Sequence, residues 1–183
     1  MREELYIGIW HILVFVYLLN LLMADGKEES INIVQFLKTD PRARYQGYTF
    51  YFREGFCWID VNSTYLKARL KGNGVFDVLS MSLFSMNQIP DWYYVSLINS
   101  ELISLYVDNF VNNTSHFQIN DARQLPIVIP NLKILNKIEQ LCKEAICLKK
   151  DSFSSFVDRT TAEELLALQR DLDYYVQAEL YGI

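Results

Sequence analysis

The chain has 183 residues, 51% of them hydrophobic and 14% aromatic, with a formal net charge of −5. That apolar content is enough to bury a core and excludes an intrinsically disordered chain. The three cysteines, Cys57, Cys142 and Cys147, form no Cys-x-x-Cys pair, which argues against a disulfide framework or a zinc site and favours a reducing cytoplasm.

Charge is unevenly spread. Seven basic residues against three acidic lie between Lys38 and Lys71, whereas Asp151 to Ile183 carries seven acidic against two basic. Phosphate binding follows the local basic surface rather than the total, so the acidic sum does not exclude a nucleic-acid partner. The plain alternative is a set of ordinary solvated faces.

In chain order, Leu5 to Ala24 is a run of twenty residues without a charge, close to the length of a membrane span. Glu3 and Glu4 beside Arg2 make it a poor secretory signal, and His11 and Asn20 are costly in lipid. A membrane anchor, a helix buried on the domain, and a leader foreign to the domain all fit. Asp25 to Ser30 is a polar break, Ile31 to Leu37 a short amphipathic piece, and Asp40-Pro41 a turn. Tyr48 to Arg53 is aromatic and favours a strand, with Gly55 allowing a bend. Phe56 to Val61 and Tyr65 to Leu70 alternate apolar and polar residues, as strands do. Gly72-Asn73-Gly74 marks a hairpin turn, and Val75 to Phe84 reads as its returning strand.

Asp91 after Pro90 is placed to cap a helix, and Tyr94, Leu97, Ile98, Leu102, Leu105 and Tyr106 recur at helical spacing. A polar cluster from Asn112 to Asn120 follows, then a short strand Ile127 to Ile129 between Pro126 and Pro130. From near Asn131 a helical stripe runs through Leu132, Leu135, Ile138, Leu141, Cys142 and Ala145. Thr160 to Glu163 has the form of a capping box. Leu165, Leu168, Leu172, Val176 and Leu180 then line a last helix, and the two C-terminal helices are expected to pair as a hairpin.

No catalytic constellation stands out. There is no Asn-Pro-Pro-Tyr motif, no glycine-rich cofactor loop after a strand and no P-loop. Asp60 and Asp77 lack a nearby Glu-x-Lys, and His116 alone is more often a surface or capping histidine than a base. Binding is better supported. Arg and Lys suit guanine edges and phosphates, and Asn and Gln suit adenine. Arg42, Arg44, Arg53, Lys67, Arg69 and Lys71 are candidate DNA contacts near the strands, and His116, Gln118 and Arg123 are candidates in the polar cluster. Lys67, Arg69 and Lys71 alternate on one strand face, a pattern that equally describes a solvated edge strand. Tyr45, Tyr48, Tyr51 and Trp58 are expected in the core.

The stretch from Asn109 to Pro130, with Asn112-Asn113-Thr114, Phe117-Gln118-Ile119-Asn120 and Arg123-Gln124-Leu125-Pro126-Ile127 in that order, resembles a known pattern. Tyr51 to Trp58, Leu66 to Lys71, Ser80 to Phe84 and Ala178 to Ile183 extend the likeness, which covers Ile31 to Ile183. These segments resemble the C-terminal specificity domain of type IIG restriction-modification enzymes and TaqI-like adenine methyltransferases and, more distantly, type I specificity subunits. The resemblance implies an α+β fold in which a twisted, mostly antiparallel sheet carries packed helices and a C-terminal helical hairpin. It divides the chain into an apolar segment 1–30 outside the likeness, a target-recognition domain 31–130 and a helical spacer 131–183. It implies double-stranded DNA and a methyltransferase or endonuclease catalytic domain as partners. S-adenosylmethionine would then be held by that absent catalytic domain, with no cofactor in this chain. It favours a framework role in the loop for Asn113, Thr114 and Asn120. The alternative is a membrane-anchored protein whose remaining domain binds a protein partner.

Overall fold

The computed structural model describes residues 34–36, 38–39, 47–61, 66–74, 80–154 and 159–183. The apolar run Leu5 to Ala24, the Asp40-Pro41 turn, Tyr45 and Asp77 lie outside them. The fold is α+β. Three antiparallel strands, β1 (Gly55–Ile59), β2 (Ala68–Lys71) and β3 (Ser80–Leu83), form a sheet in the order β2-β1-β3. Gly72-Asn73-Gly74 is a turn, but it does not close a hairpin between neighbours. The chain leaves β2 and returns as β3 on the far side of β1. The reason is apolar matching to the central strand: Phe56 and Trp58 of β1 are flanked by Leu70 and Ala68 on one side and by Leu83 and Met81 on the other. Gly55 permits the close approach of β3, since a Cβ there would lie 2.5 Å from Leu83 O.

Two short helices follow, α1 (Asp91–Ile98) and α2 (Glu101–Tyr106). Asp91 falls in the first turn of α1 rather than at its cap, which is Pro90. Its Oδ1 instead accepts from Ser85 N at 3.1 Å and ties the helix start to the end of β3. The break between α1 and α2 is set by Ser100, a buried N-cap whose hydroxyl oxygen accepts from Ile103 N. Asn99 covers the outer edge of β2. Its Oδ1 accepts from Ala68 N at 2.7 Å and its Nδ2 donates to Ala68 O at 2.9 Å, imitating a fourth strand.

Beyond a π-helical turn (Val107–Val111) and the one-turn α3 (Ile119–Ala122), the long helices α4 (Leu132–Ser154) and α5 (Arg159–Tyr174) pack on each other. A π-helical segment, Tyr175–Tyr181, follows and is capped by Gly182, whose φ of 72° suits glycine. Asn131 caps α4 by accepting from Ile134 N at 2.9 Å. Thr160 is the second described residue of α5. Leu132, expected on the buried stripe of α4, is 76% exposed, whereas Ile138 and Leu141 are buried. Ile134, Ile138 and Val176 join Trp58, Tyr93, Leu97 and Ile103 in one core, so the C-terminal helices share the core of the sheet.

Two expected strands take other forms. Tyr48–Phe50 is a 3-10 turn, entered through Gly47 at φ 68° and left through Phe52 at φ 62°. Stacking of Phe50 on Phe84, with centroids 5.0 Å apart, holds the chain there rather than in the sheet. Ile127 to Ile129 pairs with no strand among the described residues. Side-chain hydroxyls reach its backbone and that of the residue before it: Tyr93 donates to Val128 O at 2.9 Å and Tyr181 donates to Pro126 O. Pro126 and Pro130 carry no N–H with which to build a ladder. No helix among the described residues is long and apolar enough to cross a membrane.

Candidate nucleic-acid interface

The polar cluster forms a loop held against the C-terminal end of β1. His116 makes an isolated antiparallel bridge with Val61, and Phe117 N donates to Asp60 O at 2.9 Å. Trp58, fully buried, donates from Nε1 to Phe117 O at 2.9 Å and meets the Phe117 ring edge-on. The loop is thus fixed to the core through an indole and two backbone contacts.

Asn112 organises the interior of the loop. Its Nδ2 donates to His116 O at 2.7 Å and to Asp121 Oδ2 at 3.0 Å. Its Oδ1 accepts from Thr114 N at 2.9 Å and from the Thr114 hydroxyl at 2.7 Å. Asp121 Oδ2 also accepts from Gln118 N at 2.8 Å and closes the start of α3. Asp121 was not among the residues singled out from the sequence, and Asn112 stood there only as one member of the polar cluster. The Asn-x-Thr spacing at 112–114 is the available signal, because an Asn side chain readily bonds the backbone two residues on.

His116 Nδ1 lies 2.9 Å from Asp60 Oδ2, with the histidine side chain 58% exposed and the aspartate 15%. This contact suits a ring that carries its proton on Nδ1 and donates it to the carboxylate. The second aspartate oxygen, Oδ1, is buried without a hydrogen bond.

The structure sorts the predicted residues into three groups. Asn113, Thr114, His116, Gln118, Asn120 and Arg123 are exposed along the loop and α3. Of these, Thr114 is committed to Asn112, and Asn120 Oδ1 accepts from Arg123 Nη1 at 3.2 Å. Thr114 thus bonds within the loop. Asn120 braces Arg123, and Asn113 makes no hydrogen bond among the described residues.

The second group lies on and beside β2. Lys71, at 8% exposure, is buried. Its Nζ donates to Arg53 O at 2.9 Å, Gly74 O at 3.2 Å and Gly72 O at 3.3 Å, and sits 5.4 Å from the centre of the Phe84 ring. Burial lowers its pKa. Lys71 is a structural cation, and Lys67, Arg69 and Lys71 do not form a solvated stripe. Arg69 is half-buried opposite Cys57, and Lys67 is half-buried with its pKa lowered by desolvation. Arg53, at the opposite end of β1 from the loop, is exposed, with its guanidinium over the rings of Phe50 and Phe84 at 5.2 and 5.5 Å. Arg42 and Arg44 form the third group, outside the described residues.

The described residues contain no group of three or more His, Cys, Asp or Glu able to hold a metal ion. No protein-family model matches the sequence, and no curated protein matches it.

Proposed function

We propose that this chain is a recognition module for duplex DNA, serving an adenine methyltransferase or restriction enzyme whose catalytic part lies elsewhere. In that arrangement S-adenosylmethionine and methyl transfer to adenine N6 belong to the catalytic part. The observation that carries the reading is the loop at the end of β1. The half-buried Asn112 bonds both Thr114 and the half-buried Asp121, while His116, Gln118 and Arg123 stand exposed on the framework so formed. Reading a base edge requires donors and acceptors on a rigid support, because a misplaced bidentate pair loses its discrimination. The family resemblance of the same stretch supports the same reading.

The test is selection by the full chain from a random duplex pool at two salt concentrations. One short enriched site is expected, with affinity that falls as salt rises. Arg123→Ala should relax preference at one base pair and cost about 1–3 kcal/mol. Arg53→Ala should instead weaken all duplexes uniformly and reduce the salt slope by about one. A folded protein that shows neither enrichment nor salt-dependent binding overturns the reading.

A further inference from the structure

The turn between the 3-10 segment and β1 places an aromatic residue where aromatic residues are disfavoured. Phe52 has φ 62°, the one positive φ outside glycine among the described residues. In that region Cβ crowds the backbone carbonyl, and a bulky side chain there marks a genuine outlier. Glycine or asparagine would make the same turn without the clash.

The conformation is imposed from two neighbouring segments. Phe52 N donates to Gly74 O at 2.9 Å. The buried Lys71 ammonium bonds Arg53 O, Gly72 O and Gly74 O, clamping the turn onto the one that follows β2. Core packing does not account for the choice of side chain. Phe52 is 37% exposed and is not part of the buried cluster formed by the described residues. Tyr48 is 54% exposed nearby in sequence, and the Arg53 guanidinium is steadied over the Phe50 and Phe84 rings. Glu54, also exposed, is the acidic residue of the turn. Strain of this kind, held in place by surrounding bonds at an exposed position, is what a binding residue requires.

We propose that Phe52 is an aromatic wedge that stacks on a nucleobase at a weakened step of bound duplex DNA, with Arg53 pairing to the flanking phosphate. The inference rests on the duplex-DNA reading and adds a second contact site, at the opposite end of β1 from the polar loop. A phenyl ring offers a base an apolar face without regard to sequence, and a guanidinium braced on two rings has its donors oriented for phosphate oxygens.

The probe is a duplex carrying 2-aminopurine at a mismatched position, compared with the same duplex fully matched. The full chain is expected to raise 2-aminopurine fluorescence and to bind the mismatched duplex about tenfold more tightly, because an unpaired base is cheapest to unstack. Phe52→Gly should abolish both effects and keep matched-duplex affinity within about threefold, since phosphate contacts supply most of that affinity. It should leave the thermal midpoint unchanged or raised, because it removes the backbone clash. Phe52→Trp should retain both effects. If Phe52→Gly lowers the midpoint, Phe52→Leu decides, since it keeps apolar bulk but lacks a π face. Retention of the fluorescence rise and the mismatch preference in Phe52→Gly or Phe52→Leu overturns the wedge. Wild-type protein that binds both duplexes equally, with salt dependence intact, overturns the wedge and leaves duplex recognition standing. Binding to neither duplex overturns both.

Discussion

The two ends of β1 are held by opposite chemistry. At the Gly55 end a buried cation, Lys71, draws three backbone carbonyls from two turns together. At the Ile59 end an anion, Asp60, anchors His116, and a neutral amide, Asn112, ties the loop to itself. The cationic end presents a strained aromatic residue and an arginine, whereas the amide end presents donors and acceptors of mixed character. A charged side chain in a basic-rich segment is therefore no guide to what faces a ligand. Lys71 is spent on backbone carbonyls, while the exposed residues owe their positions to buried neighbours.

This contrast can be broken most forcefully at Lys71. Lys71→Met keeps the apolar stem and strands the three carbonyls, so a loss of about 3 kcal/mol is expected by chemical denaturation. A near-neutral result would mean that the clamp is dispensable and that the turn at Phe52 has another support.

At the other end, Asn112→Ala should cost about 1.5 kcal/mol. Asn112→Asp should cost more than the alanine, since it keeps the acceptor for Thr114 but replaces the donor to His116 O and sets a second carboxylate against Asp121. Equal losses for the two variants would show that the amide donor matters little.

Asp173 sharpens the comparison by placing a half-buried carboxyl group in a third setting. It accepts from Glu101 N at 2.9 Å and from Gln169 Nε2, yet burial raises its pKa above the ordinary 3.8. The folded state thus binds this proton more tightly than the unfolded chain does. Its contribution is fully present below the ordinary value and is lost as pH rises through the raised one. Asp173→Asn should flatten stability against pH in that window while still accepting from Glu101 N. An unchanged pH profile would remove Asp173 from the account.

The smallest effect is expected at Asn113, exposed and without a hydrogen bond among the described residues. Asn113→Ala should change stability by no more than about 0.5 kcal/mol. A larger loss would show that the outer face of the loop also supports the fold.

Elements whose signals are local were legible in the sequence. Pro90-Asp91 opens α1 within a residue of expectation, the apolar spacing after Asn131 marks α4, and the β1 and β2 segments stand near their predicted places. The strand order was not legible, because the Gly72-Asn73-Gly74 turn reports a change of direction and not which edge the chain rejoins. Ile127 to Ile129 has strand composition, but two tyrosines distant in sequence hold the carbonyls of Val128 and of the preceding Pro126. In the candidate site, the cluster from Asn112 to Arg123 was visible as a run of polar side chains, while the division of labour within it was not.

The sequence by itself determined that strand-patterned segments precede helix-patterned ones, that basic residues outnumber acidic ones between Lys38 and Lys71, and that a dense polar loop precedes the C-terminal helices. Those features depend on composition and near-neighbour spacing. Only the tertiary structure decided that Lys71 is a buried clamp, that Asn112 rather than Asn113 organises the loop, and that Phe52 is held exposed at a positive φ. Each of these depends on atoms brought together across turns and strands, where hydrogen bonding and burial, rather than residue type, assign the role.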